Sequence, residues 1–250
     1  MGMGSKFISF AVFALSAMGA VFISGQTAAG QSSEPAHQRW SGAYIGANLG
    51  YHDVTTSGIF DGAEPAGTPD LRNIGGEGPN LGVQAGYNWQ MNHIVLGVAA
   101  DVSWGGFSKS YTTIQDGGPT EAFLFSYPIV GDLAYLATAR ARAGIHSTLI
   151  GRDMLLFVTG GAAFTRFNMN IADGRGRVAF DAVGSVVGGG VEIALTDRWS
   201  LAAEFLHHDF GKQLNISDAT TSGVFDANDG NYVRLDNVDI VRVGLSLNLN

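Results

Sequence analysis

The strict two-residue alternation that ends this chain restricts its fold more than any other feature. From Val241 onward, Val241, Val243, Leu245, Leu247 and Leu249 fall on one face of an extended strand. Arg242, Gly244, Ser246 and Asn248 fall on the other, because successive strand side chains point to opposite faces. A soluble sheet packs its aliphatic face on a core and covers the opposite face with polar side chains. Here that opposite face combines glycine with charge, which suits the inside of a narrow barrel whose aliphatic face meets lipid.

Composition agrees. Only 14% of the residues are charged and 36 of 250 are glycine, against a charged share of about 25% in soluble domains. Met1 to about Ala29 reads as a cleaved secretory signal. Lys6 is its single charge, Phe7 to Ile23 is nearly all apolar, and Thr27, Ala28, Ala29 and Gly30 offer small residues for cleavage. Residues 30–250 then form one barrel domain. After the signal there is no apolar run of the ~20 residues a membrane helix needs. The chain has no cysteine, hence no disulfide framework and no lipid-anchored cysteine. Its formal charge of −8 argues against nucleic acid as a partner.

Seven more strand segments precede it, six of them with the dyad pattern. Ala43 to His52 places Ile45, Leu49 and Tyr51 outside and Asn48 and the glycines inside. Asn80 to Trp89 and Ile94 to Trp104 follow around a turn at Gln90–His93, the latter turning Gly97, Asp101 and Ser103 inward. Leu133 to Ile145 directs Thr138, Arg140 and Arg142 inward. Met154 to Phe167 is apolar on both faces, and only Thr159 and Thr165 mark its inside. A sixth segment, ending at Leu195, turns Glu192 inward, and a seventh, Trp199 to Phe210, turns Glu204 inward. Each crosses with the ~9–11 residues a membrane strand requires. Connections after the even segments are short (Gln90–His93, His146–Asp153, Thr196–Arg198) and the others long, the asymmetry of an outer-membrane barrel. Trp40, Trp89 and Trp199 fall at one predicted rim and Trp104 at the other, as aromatic girdles require. The fold predicted is all-β: an eight-stranded antiparallel up-and-down transmembrane barrel. The soluble alternative, a ligand-binding barrel, would leave an exterior made largely of glycine.

Several stretches together resemble a known family. They are WSGAYIGANLGY (40–51), LGVQAGYNW (81–89), VLGVAADVSW (95–104), LATARARAGI (136–145), FVTGGAAF (157–164) and VRVGLSLNL (241–249). In this order they are similar to the porin-family barrels called outer-membrane immunogenic proteins, which belong with the OmpA-like eight-stranded barrels. The resemblance implies the outer membrane of a Gram-negative cell and structural, adhesive or weakly pore-forming roles. It also implies that Arg242, Gly244, Leu247 and Leu249 form the signal read by the outer-membrane assembly machinery, although this chain ends in Asn250 where the family carries an aromatic residue.

The predicted lumen collects Asp101, Glu192 and Glu204 with Arg140, Arg142 and Arg242. In a barrel just wide enough for side chains to fill, these six either pair into a plug or, standing at different heights, meet only water. Thr55–Asp61 nearly repeats as Thr220–Asp226, offering Phe60 and Phe225 on neighbouring outer loops, either as a contact surface or as chance similarity. His52 and His208 could meet near the outer rim for haem or metal capture, though rim histidines are more often plain polar residues. No hydrolase, metalloprotease or phosphate-loop motif is present. The expectation is a non-enzymatic barrel without cofactor, held in outer-membrane lipid, with a structural role and a host or surface ligand for its loops. A small diffusion pore is the alternative; a haem- or metal-binding barrel or a rim-site enzyme comes third.

Overall fold

The computed structural model describes residues 39–59, 71–72, 75–116, 122–149, 151–171, 176–215 and 232–249. They form β1 (Gly42–Ile59), β2 (Leu71–Arg72), β3 (Glu77–Met91), β4 (Ile94–Asp116), β5 (Ala122–Leu149), β6 (Arg152–Ile171), β7 (Gly176–Ala194), β8 (Trp199–Asn215) and β9 (Tyr232–Asn248). The short β2 pairs only with Ser57 and Gly58 of β1. The other eight strands are each antiparallel to the next, and β9 returns to β1 from Tyr44↔Asn248 to Ile59↔Tyr232. The sheet is therefore a closed eight-stranded up-and-down antiparallel barrel, with no helix among the described residues. Closure pairs the backbone N–H and C=O groups between strands, the condition for crossing hydrocarbon without an edge.

The alternation read from the sequence sets the two faces. Ile45, Leu49, Leu81, Val83, Val98, Val187, Val243 and Leu245 are exposed on the outside, while Asn48, Asp101, Thr138, Arg140, Arg142, Glu192, Arg242 and Ser246 are buried inside. On β1 the aliphatic band runs from Ala43 to Tyr51; Asp53 then faces Asp239 of β9, which faces His207 of β8. These outward polar residues mark one edge of the lipid-facing band.

The strands are longer than that band. β4 and β5 have 23 and 28 residues, so much of the long loop expected between Trp104 and Leu133 is a continuing hairpin. Likewise, the expected His146–Asp153 connection is mostly strand, with β5 reaching Leu149 and β6 starting at Arg152. The turn between them contains Gly151 at φ +70°, and the β3–β4 turn contains Asn92 at φ +57°. Both are left-handed conformations that Gly and Asn adopt most cheaply.

β6 settles the ambiguous fifth segment. Thr159 pairs with Arg142 and Thr165 with Leu136, and both threonines are buried with Leu155, Phe157, Ala163 and Phe167. The lumen is thus not polar throughout. Toward the loop end it is filled by Leu136, Phe167, Phe180, Leu206 and Ile240. A bulge contributes: in β5, Leu133 pairs with Phe167 but Tyr135 with Arg166, so Ala134 is extra. One inserted residue inverts the alternation, which is why Leu133 and Leu136 both point inward.

Trp40 departs from the girdle expected of it. Trp89, Trp104 and Trp199 are exposed on the outside, but Trp40 is 5% exposed, packed inside the short-turn end of the barrel against Val95, Leu155, Phe157 and Ala194. It precedes β1, and no strand alternation acts on it there. Phe60 and Phe225, the predicted signal, and the repeat at 220–226 lie outside the described residues.

Candidate functional site: a charged layer across the lumen

Five strands deliver the six charged side chains to one layer. Glu204 and Arg242 are direct cross-strand partners on β8 and β9, and Asp101 pairs with Thr138 across β4 and β5. The long guanidinium side chains then cross the lumen. Arg140 of β5 donates from Nη2 to Asp101 Oδ1 (2.6 Å) and from Nη1 to Glu204 Oε1 (2.6 Å). Arg242 donates from Nε to Glu204 Oε2 (2.8 Å), with Nη2 2.7 Å from the same oxygen and 3.2 Å from Asp101 Oδ1. Two acids and two arginines close a ring in which each arginine bridges both carboxylates. Thr138 adds a hydroxyl bond to Asp101 Oδ1 (2.7 Å) and accepts from Arg140 Nε (3.0 Å).

Arg142 forms a second centre one step toward the short-turn end. It pairs with Glu192 of β7, whose other oxygen accepts the Ser200 hydroxyl. Its guanidinium carbon lies 3.8 Å from the centroid of the Phe157 ring, a cation–π contact strengthened by desolvation. All six predicted lumen charges are therefore brought together as ion pairs. In the ring the side chains are at most 9% exposed. Thr138, Ser200 and Phe157 complete the layer. Thr138 was legible as an inward position, whereas Phe157 was hidden by the two-faced apolarity of its segment.

Trp40 closes the same lumen below the layer. Its backbone N–H donates to Gln90 Oε1 (3.0 Å), and Asn248 Nδ2 donates to the Arg39 carbonyl (3.2 Å). Arg39 itself lies 3.6 Å from Asp153 and 3.5 Å from Asp197. Within the layer remains a cavity of about 20 Å³, lined by Tyr44, Gln84, Phe157, Glu192, Glu204 and the arginines.

His52 and His208 do not form the exposed rim site considered for them. Both are buried inside the barrel and separated by β9, where His52 pairs with Ile240 and His208 with Val238. His208 Nδ1 is 2.8 Å from the Val238 carbonyl. His207 points outward and meets Asp239 at 2.6 Å. Among the described residues no group of three or more His, Asp or Glu side chains could hold a metal ion. Of the proposed assembly signal, Arg242 and Gly244 face the lumen, while Leu247 and Leu249 continue the outer row.

The fold and its lipid-facing band define a membrane-spanning β-barrel protein. The chain belongs to the outer membrane protein β-barrel domain family, which matches residues 14–248. It is 30% identical over 227 residues to the 31 kDa outer-membrane immunogenic protein of Brucella melitensis, covering 85% of this chain and 88% of that one. It is also 26% identical to the 25 kDa outer-membrane immunogenic protein of Brucella abortus, over 76% of this chain and 75% of the relative. Among solved structures, the outer membrane protein OprG of Pseudomonas aeruginosa matches at TM-score 0.46 and 16% identity, over 84% of this chain and 97% of that one. Neisserial surface protein A matches at 0.44 and 15%, over 84% and 98%. The protein is thus an outer-membrane barrel.

Proposed function

We propose that this protein is a closed, non-enzymatic barrel that anchors surface loops in the outer membrane, its lumen plugged by the ion-paired layer. The observation that carries this reading is the ring of Asp101, Arg140, Glu204 and Arg242, which spans the lumen with every guanidinium held by carboxylates. An ion crossing this layer would have to break buried pairs, and uncompensated charges there are costly. Apolar packing above the layer and Trp40 below it support the same conclusion. Insertion would use the terminal strand, with Arg242, Gly244, Leu247 and Leu249 read by the assembly machinery, and a host or surface ligand would meet the loops. The cavity lined by arginine and glutamate favours a second reading, a small diffusion pore.

Single-channel recording of the chain refolded into a planar bilayer separates the two. Silence from protein shown to be folded by a heat-dependent gel shift is the expected result. Steady, reproducible conductance overturns the plug and makes the arginine and carboxylate rows an ion filter.

A further inference from the structure

The segment that closes the short-turn mouth is held through one histidine. His146 lies on β5 opposite Leu155 of β6, and its ring meets that of Trp40 edge-on, 6.4 Å between centroids. Gln90 of β3 joins the two. Its Oε1 accepts the Trp40 backbone N–H (3.0 Å), while its Nε2 donates to the Asn92 carbonyl (2.9 Å) and faces His146 Nδ1 at 3.5 Å. The first two bonds fix the amide orientation, because turning it over would set NH2 against N–H and oxygen against oxygen. An amide nitrogen only donates. His146 Nδ1 is therefore the accepting nitrogen, and the ring proton sits on Nε2, which meets Asp153 Oδ1 at 3.1 Å.

Histidine is the side chain that gains a charge between about pH 8 and pH 5. On His146 the added proton goes to Nδ1 and places two donors face to face. The imidazolium is then held more strongly by Asp153, since the bond becomes charge-assisted on both sides. Gln90 is the partner that gives way, and with it the bond to the Trp40 N–H. The same proton acts on Arg39. Asp153 Oδ2 lies 3.6 Å from Arg39 Nη1, so this carboxylate must serve two cations once His146 is charged. Arg39 keeps Asp197 at 3.5 Å and the Thr196 carbonyl. Two other ionisable groups lie around His146. His93 of the β3–β4 turn stacks on its ring at 6.4 Å and is a like charge when protonated. Glu192 stands two strands away, beyond Leu155, and is held by Arg142.

We infer that the Arg39–Trp40 segment is a pH-sensitive latch across the short-turn mouth, with His146 as its trigger. With His146 neutral, Gln90 and Asp153 hold the latch over the lower lumen. With His146 charged, both holds weaken, and Trp40 leaves its seat against Val95, Leu155, Phe157 and Ala194 more often. The charged layer above is the same in either state, so the latch stands or falls separately from the closed-barrel reading.

The test reads hydrogen exchange of the Trp40 backbone N–H by NMR in the full chain folded in detergent micelles. Rates at about pH 8 and pH 5, the range of histidine titration, are corrected for their intrinsic pH dependence. Protection of this amide is expected to fall about two- to tenfold at the lower pH, the worth of one neutral hydrogen bond. The ladder amide of Ala100 on β4 should stay unchanged. His146→Phe keeps a ring beside Trp40 but cannot titrate, and its Trp40 protection should be equal at both pH values. His93→Phe should keep the parent's pH dependence. Equal protection at both pH values in the parent would overturn the inference, as would a parent-like fall in His146→Phe or loss of the fall in His93→Phe. The nitrogen-15 spectrum of the His146 ring at the higher pH remains decisive if a variant fails to fold. It should show the proton on Nε2; a proton on Nδ1 would remove the contact with Gln90 and the trigger with it.

Discussion

Replacing Arg242 by Met tests whether the lumen layer is an energetic unit. The substitution keeps most of the side-chain volume but removes the Nε and Nη2 bonds to Glu204 and the 3.2 Å bond to Asp101. Both carboxylates stay buried, with Arg140 as their shared remaining cation. Breaking a buried pair from one side costs about 3–5 kcal/mol, because the abandoned charge stays desolvated. For a domain of this size that loss lowers the unfolding midpoint by roughly 6–20 °C. Urea or thermal unfolding in micelles, followed by circular dichroism and the heat-dependent gel shift, measures it. Glu204→Gln alone should also destabilise. The double variant should lose less than the sum of the two, with a coupling of about 0.5–3 kcal/mol. If each single variant unfolds within about 0.5 kcal/mol of the parent, the range of an ordinary surface change, then the pairs form no plug and the charges are simply hydrated.

Three further predictions follow from the same structure, the first two checked by unfolding in micelles and the third by unfolding from lipid bilayers. Trp40→Ala should cost about 3–5 kcal/mol by emptying the pocket formed with Val95, Leu155, Phe157 and Ala194. Trp40→Phe should cost less than about 1.5 kcal/mol, since the indole N–H it deletes is buried without a partner; an equal loss in both would show that the ring does not fill the mouth. Gly161→Ala should destabilise by about 1–3 kcal/mol, because its Cβ would collide with the backbone of Ala139 and Arg140. Its neighbour Gly160 should tolerate alanine, the Cβ meeting nothing nearer than the Val186 carbonyl at 3.6 Å, and the reverse order would mean that the β6 register is misassigned. Leu49→Arg, at a position 63% exposed on the outer band, should cost about 2–4 kcal/mol in lipid bilayers, falling to ~0–1 kcal/mol nearer the interface. A neutral outcome there would remove Leu49 from the hydrocarbon.

The local sequence alone determined which face of nearly every strand meets lipid. A strand's two faces alternate with a period of two, and lipid on one side demands apolar residues at every second position, so Leu81 to Trp89 or Val241 to Leu249 can be read without a partner strand. The same arithmetic placed Asp101, Arg140, Arg142, Glu192, Glu204 and Arg242 in the lumen. Where alternation failed, the reading stopped. The segment from Met154 to Phe167 is apolar on both faces because its inner face packs against other strands, and only the register with Arg142 and Leu136 orients it. Tertiary structure decided the rest. Ring closure and strand stagger brought side chains from five strands to one height, so Arg140 of β5 could reach Glu204 of β8. A bulge at Ala134 turned Leu133 inward beside Leu136, and the mouth of the barrel drew Trp40 in from outside any strand. Which face a side chain takes is a property of its own strand; which partner it meets across the lumen depends on how all eight strands close.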